Sequence, residues 1–142
     1  MIMWALRDGT YLRSLYSKSE TTHKLVPVDW CAIISDGHIL TYSKDTYLMT
    51  LYDLAGAVIG CHEFINQLSA ITLGPDGLYV VVGSERGEMF ILRVRDLHDV
   101  TTEASGGFSV VPKLSTGIHY LYLTKEVLFI GGENGVLLVA GK

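Results

Sequence analysis

At 142 residues the chain is long enough for one ordinary domain with a buried core. Hydrophobic residues make up 49% and charged residues 18% of it, against roughly 25% charged in a usual soluble domain, so some apolar surface needs cover beyond a simple core. Eleven Lys+Arg against fifteen Asp+Glu give a net charge of -4, with no basic run; the electrostatic footprint of a nucleic-acid or anionic-lipid binder is therefore missing.

The apolar start, Met1 to Leu6, is cut by Arg7 and Asp8, which is not a signal-peptide pattern. No run approaches the roughly 18 apolar residues of a spanning helix, so direct membrane insertion is not expected. Two cysteines and no Asn-x-Ser/Thr acceptor fit a reducing compartment, with the cytoplasm as the expectation. Cys31 and Cys61 read as small buried apolar residues, a disulfide between them being the alternative.

In chain order, residues 1–16 hold two short runs around Arg7-Asp8-Gly9, and residues 17–22 read as a loop. Trp30-Cys31-Ala32-Ile33-Ile34 leads into the turn Ser35-Asp36-Gly37. His38-Ile39-Leu40-Thr41-Tyr42, the cluster Ser43-Lys44-Asp45, and Tyr47-Leu48-Met49-Thr50-Leu51-Tyr52 follow, and Ala57-Val58-Ile59-Gly60 closes the unit. The next unit repeats the order: Ile71-Thr72-Leu73, Gly74-Pro75-Asp76-Gly77, Leu78-Tyr79-Val80-Val81-Val82, a Gly83–Gly87 cluster, then Met89-Phe90-Ile91-Leu92-Arg93-Val94. Pro presets its own φ while Asp and Gly tolerate the positive one, so each cluster predicts a hairpin between short strands. The last unit reads Ile118-His119-Tyr120-Leu121-Tyr122-Leu123, Thr124-Lys125-Glu126, Val127-Leu128-Phe129-Ile130, Gly131-Gly132-Glu133-Asn134-Gly135 and Val136-Leu137-Leu138-Val139. The glycine-rich cluster reads as a tight turn needing positive backbone angles.

Asp8, Asp53 and Asp96 each end a third strand, and they stand 45 and 43 residues apart. Four short strands at that period predict an all-β fold, a partial β-propeller built from four-stranded blades. Such a blade is apolar on both faces and survives only between neighbours, which accounts for the low charge count. The expected divisions are 1–16 (the end of one blade), 25–61 (a blade), 66–110 (a blade) and 117–141 (an incomplete blade). Three blades and a fraction fall short of a closed ring, so the piece is expected to self-associate or to need further blades.

Gly60-Cys61-His62, Gly74-Pro75-Asp76-Gly77, Val82-Gly83-Ser84 and Arg95-Asp96-Leu97 follow the WD-repeat pattern in order, without the Trp of the usual Trp-Asp pair. Leu6-Arg7-Asp8-Gly9-Thr10-Tyr11-Leu12-Arg13-Ser14-Leu15, the hairpin from Ser35 to Tyr42, Arg95-Asp96-Leu97-His98, and Thr124-Lys125-Glu126 with Gly132-Glu133-Asn134-Gly135-Val136-Leu137-Leu138-Val139 add a closer match. On these residues the chain resembles the C-terminal WD-repeat propeller of the neurobeachin-type BEACH-domain proteins. The resemblance implies a non-catalytic protein-protein interaction scaffold acting in vesicle traffic and membrane-protein sorting. It further implies a cytoplasmic location, peripheral to vesicles or endomembranes through partners. The implied partners are other proteins, together with the remaining blades and the BEACH domain of a longer chain.

Catalytic chemistry finds little support in the residues. Gly-x-Ser-x-Gly is absent. His62 reads as structural, the cysteines and histidines lack the paired spacing of zinc ligands, and the Gly135 to Lys142 stretch is no phosphate loop. No cofactor or metal is expected. The alternative is a hydrolase or lyase on propeller-like strands, whose inner strands (30–34, 68–73 and 118–123) offer only Asp29 and His119 as ionisable groups. Trp4 and Trp30 read as core residues. The partner-binding candidates are Tyr47, Glu103, Tyr120 and Tyr122, because exposed tyrosine buries much area at low entropic cost. The Gly/Ser-rich stretch 101–109 reads as a variable binding loop.

Overall fold

The computed structural model describes residues 2–4, 11–14, 17–18, 25–98, 108–111, 114–135 and 137–141. Among the described residues, fifteen strands form antiparallel sheets. β1 (Ile2–Trp4) pairs with β2 (Tyr11–Ser14), and β3 (Ser17–Lys18) pairs with β4 (Leu25–Val26). The second pairing corrects the expectation of a loop over 17–22, since Ser17 and Lys18 enter a two-residue ladder with Val26 and Leu25.

Three larger sheets carry the architecture. The first is β5 (Trp30–Ile33), β6 (Ile39–Ser43), β7 (Leu48–Tyr52) and β8 (Val58–Glu63), hydrogen-bonded in chain order. The second is β9 (Leu68–Leu73), β10 (Tyr79–Ser84), β11 (Met89–Arg93) and β12 (Phe108–Val111), again in chain order. The third has three strands, β13 (Ile118–Leu123), β14 (Val127–Gly132) and β15 (Leu137–Gly141). Two 3-10 turns, Val94–His98 and Glu133–Gly135, follow β11 and β14.

One turn geometry recurs. Ile34 N–H donates to His38 O at 2.8 Å while Gly37 N–H donates to Ile34 O at 2.9 Å. The same pair of bonds closes Asp53–Ala57 (3.0 and 3.0 Å) and Ser84–Glu88 (2.8 and 3.1 Å), and with one residue more it closes Gly74–Tyr79 (2.8 and 2.9 Å). This is a tight turn followed by a left-handed residue, and its twist suits antiparallel strands. A different side chain locks each copy: Asp53 Oδ1 accepts from Ala57 N–H at 2.8 Å, and Ser84 Oγ accepts from Glu88 N–H at 3.1 Å. The turn between β13 and β14 has no glycine, its Thr124 Oγ1 accepting from Val127 N–H at 2.9 Å. The Gly131–Gly135 cluster departs from its expected tight turn: Gly131 and Gly132 belong to β14, and of the cluster's glycines Gly135 alone has a positive φ, +75°.

The sheets stack face to face through two cores. Leu40, Tyr42, Met49 and Leu51 of the first sheet meet Val80, Val82 and Leu92 of the second. Val81 and Met89, on the second sheet's other face, meet Ile118, Leu121, Leu128 and Ile130 of the third. β10 and β11 thus each bury both of their alternating faces. Trp30 packs half-buried against the first core, at its margin instead of within it, because β5 is an edge strand; the side chain of Trp4 lies outside the described residues.

A polar tie crosses the first interface. The Tyr42 hydroxyl accepts the Leu68 backbone N–H at 2.9 Å, both residues being buried. Burial, ahead of every other cause, holds the Tyr42 phenol above its usual pKa, so it is a neutral hydroxyl. Tyr42→Phe is expected to leave that N–H buried without its acceptor, costing about 1–3 kcal/mol. Urea denaturation should show a lower midpoint at unchanged slope.

Cys31 and Cys61 occupy the two ends of one row, Cys31–Thr41–Thr50–Cys61, across the four strands of the first sheet. Strands lie about 4.8 Å apart, so about 14 Å separates the two thiols, well beyond disulfide reach, and no disulfide joins them. The expectation that both are buried is corrected: Cys61 is half-buried on the edge strand that the turn Val94–His98 packs against, whereas Cys31 is exposed on the opposite edge strand.

Candidate partner-binding surface

The third sheet covers only one of its faces. Register places Tyr122, Phe129 and Val139 in one row, and Tyr120, Gly131 and Leu137 in the next, all on the face turned away from the second core. Tyr120 is 57% exposed, Tyr122 52%, Leu137 63% and Val139 59%. The Tyr122 and Phe129 rings lie 6.4 Å apart between centroids at 38°, so the row is a contiguous aromatic surface and not scattered side chains. A contiguous apolar patch of this kind marks a place where something else packs.

Two grooves open at the same end of the sheet stack. One, of about 330 Å³, lies between the first and second sheets and is lined by Ile34, Leu51, Tyr79 and Val94 among others. The other, of about 590 Å³, lies between the second and third sheets and is lined by Tyr79, Val81, Ile91, Leu123, Val127 and Leu128 with polar neighbours. Arg93 stacks over the Tyr79 ring at 5.9 Å between them.

The ionisable groups are dispersed. His119 Nε2 lies 3.3 Å from Glu133 Oε1 on the exposed end of the third sheet. Asp29, the other inner-strand candidate, accepts Lys44 N–H through Oδ2 at 2.7 Å and so holds the turn after β6. Asp36 sits 2.7 Å from His38 Nδ1, and the hydrogen bond from the His38 backbone, first, then its side chain hold the Asp36 carboxyl below the usual range. Among the described residues, no group of three or more His, Cys, Asp or Glu is arranged to hold a metal ion.

His62 is half-buried with its ring edge-on to Phe64, 4.8 Å between centroids. Burial pushes its pKa below the ordinary value of 6.5. The unfolded chain therefore binds a proton first, and stability that is full above about pH 6.5 is lost as pH falls through the lower folded value. Melting temperatures between pH 7.5 and 5 should fall less steeply for His62→Gln than for the parent.

The four partner-binding candidates end in different settings. Tyr120 and Tyr122 stand together on the open face. Tyr47 is half-buried against the first core, with φ +57°, and its carbonyl accepts Phe64 N–H at 2.9 Å. Glu103, and the 101–107 part of the loop read from sequence, lie outside the described residues, while Phe108 and Ser109 begin β12. Sequence reasoning missed Leu137 and Val139 as surface residues. The signal was present: the run Val136 to Val139 has no polar alternation, so its residues fall on both faces of a strand.

No family model matches the chain. It is 24% identical over 139 residues to the BEACH domain-containing protein B of Arabidopsis thaliana, a match covering 97% of this chain and 5% of that relative. The chain thus spans a small fraction of the curated protein it resembles, and the similarity points to a BEACH-protein relationship. Among solved structures, the crystal structure of the computationally designed Ika4 protein superposes with a TM-score of 0.70 at 13% identity, over 99% of this chain and 78% of that one. That likeness concerns the fold alone. Among the described residues, no helix is long and apolar enough to cross a membrane.

Proposed function

We propose that the chain is a run of WD-repeat blades from the propeller of a BEACH-type protein, serving as a non-catalytic protein-interaction scaffold in vesicle traffic and membrane-protein sorting. The observation that carries this reading is the stacking. Two apolar interfaces join three similar sheets, and the last sheet offers Tyr120, Tyr122, Leu137 and Val139 to a further neighbour. The similarity to a BEACH domain-containing protein supports the context. In this reading the neighbours are further blades and the BEACH domain of a longer chain, and other proteins dock on the exposed surface. The scaffold works in the cytoplasm, reaching vesicle membranes through those partners.

The immobilised chain should capture vesicle-traffic proteins from a cytoplasmic extract, and the Tyr120→Lys/Tyr122→Lys variant should lose them, as identified by mass spectrometry. Hydrolysis of generic ester or phosphate substrates that disappears in His119→Ala would overturn the scaffold reading in favour of an enzyme.

A further inference from the structure

Two arginines stand at the groove between the first and second sheets with no acid to meet. Arg93 ends β11 and Arg95 lies in the 3-10 turn that follows; both are exposed, and both line the groove of about 330 Å³. Val94, between them, is sunk in the first core, and its N–H donates to Leu78 O at 3.0 Å, so the backbone carrying both guanidinia is fixed. Arg93 lies over the Tyr79 ring at 5.9 Å. Stacking uses the flat face of a guanidinium and leaves its in-plane N–H groups for an acceptor. Among the described residues, no carboxylate stands within ion-pair distance of either arginine. The acid that shares the groove, Asp36, is already engaged: the His38 backbone N–H donates to its Oδ1 at 3.1 Å, and His38 Nδ1 lies 2.7 Å from the same oxygen.

We propose that this groove is a binding site for a phosphate monoester carried by a partner protein, seated between Arg93 and Arg95. A phosphate monoester holds about two negative charges at neutral pH, and its three acceptor oxygens suit two forked donors. Behind them the walls formed by Ile34, Leu51 and Val94 are apolar, which strengthens hydrogen bonds made against them. The net charge of -4 and the lack of a basic run work against a nucleic acid or an anionic membrane, which present many phosphates at once. A single phosphorylated side chain asks only for the two charges present. Every wall of the groove comes from the first two sheets and the turns that follow their strands. The site deepens the scaffold reading and rests on it only in assigning the phosphate to a protein.

The probe is an alanine peptide with one central phosphoserine, titrated into the full chain in a calorimeter. Saturable binding is expected, weakening as salt rises. The same peptide with plain serine should not bind. Arg93→Gln and Arg95→Gln should each weaken binding about tenfold, because each removes charge-assisted hydrogen bonds. Both side chains are exposed, so the variants keep the fold, which circular dichroism checks. Arg95→Lys should recover only part of what Arg95→Gln loses, since an ammonium lacks the fork. Lys125→Gln, beside the other groove, should leave binding unchanged. Tyr120→Lys/Tyr122→Lys should leave it unchanged too, so failure of the open face and failure of this site are read separately. No saturable binding, equal binding of the two peptides, or full binding by the double arginine variant overturns the proposal. So does binding to phosphatidylserine vesicles that the double arginine variant loses, when the phosphopeptide itself does not bind; that result transfers the site to a membrane.

Discussion

Gly87→Ala is expected to lower stability by about 2–5 kcal/mol, combining left-handed strain of roughly 1–2 kcal/mol with overpacking of roughly 1–3 kcal/mol. Gly87 has φ +83°, and a Cβ built there would run into the carbonyl oxygens of Leu114 and Thr116. These are backbone atoms of the segment that leads into β13, and Leu114 N–H donates to Gly87 O at 2.9 Å. The hairpin between β10 and β11 therefore presses directly on the chain entering the third sheet, with no room for a methyl group. Gly135 supplies the control: its φ is +75°, but nothing lies within 4 Å of the added Cβ. Gly135→Ala should cost only the conformational strain, and the gap between the two variants in urea denaturation measures the clash. Equal costs would mean that the segment leading into β13 yields to the added methyl group.

The second large effect concerns the open face. The isolated chain is expected to self-associate through Tyr120, Tyr122, Leu137 and Val139, and Tyr120→Lys/Tyr122→Lys is expected to return it to a monomer. Burying an aromatic side chain contributes about 1.5–3 kcal/mol, so losing two should weaken association by about 10²- to 10⁴-fold. Two added cations on each face would also repel one another. Size-exclusion chromatography with light scattering, over a hundredfold range of concentration, reads the result. A parent chain that stays monomeric throughout would show that the face is stable in water and that the neighbour it is thought to await is not required.

Much of this architecture was legible in the residues, because the turns carry their own chemistry. Ser35-Asp36-Gly37 and Pro75-Asp76-Gly77 place a glycine where the chain must adopt positive φ, and the runs between such units became strands of four to six residues. The stacking was legible in the excess of apolar over charged positions. What remained hidden depends on neighbours in space. Nothing local marks Cys31 as exposed, since its row is decided by β5 being an outer strand. Tyr47 read as an exposed partner-binding tyrosine, yet the turn after β6 folds it onto the core in a conformation usual for glycine. The pairing of Ser17–Lys18 with Leu25–Val26 had no hydrophobic pattern to announce it. The candidate surface was half legible: Tyr120 and Tyr122 could be named from sequence, but Leu137 and Val139 joined them only through strand register.

The row that runs from Cys31 to Cys61 has a practical corollary. One sulfur is already wet, whereas the other is sheltered on the fourth strand of the same sheet. An alkylating reagent therefore meets two thiols at different rates, the exposed one reacting first and the half-buried one more slowly. The ratio of the two rates reads how far the fourth ribbon shelters its sulfur, with an internal standard supplied by the faster one.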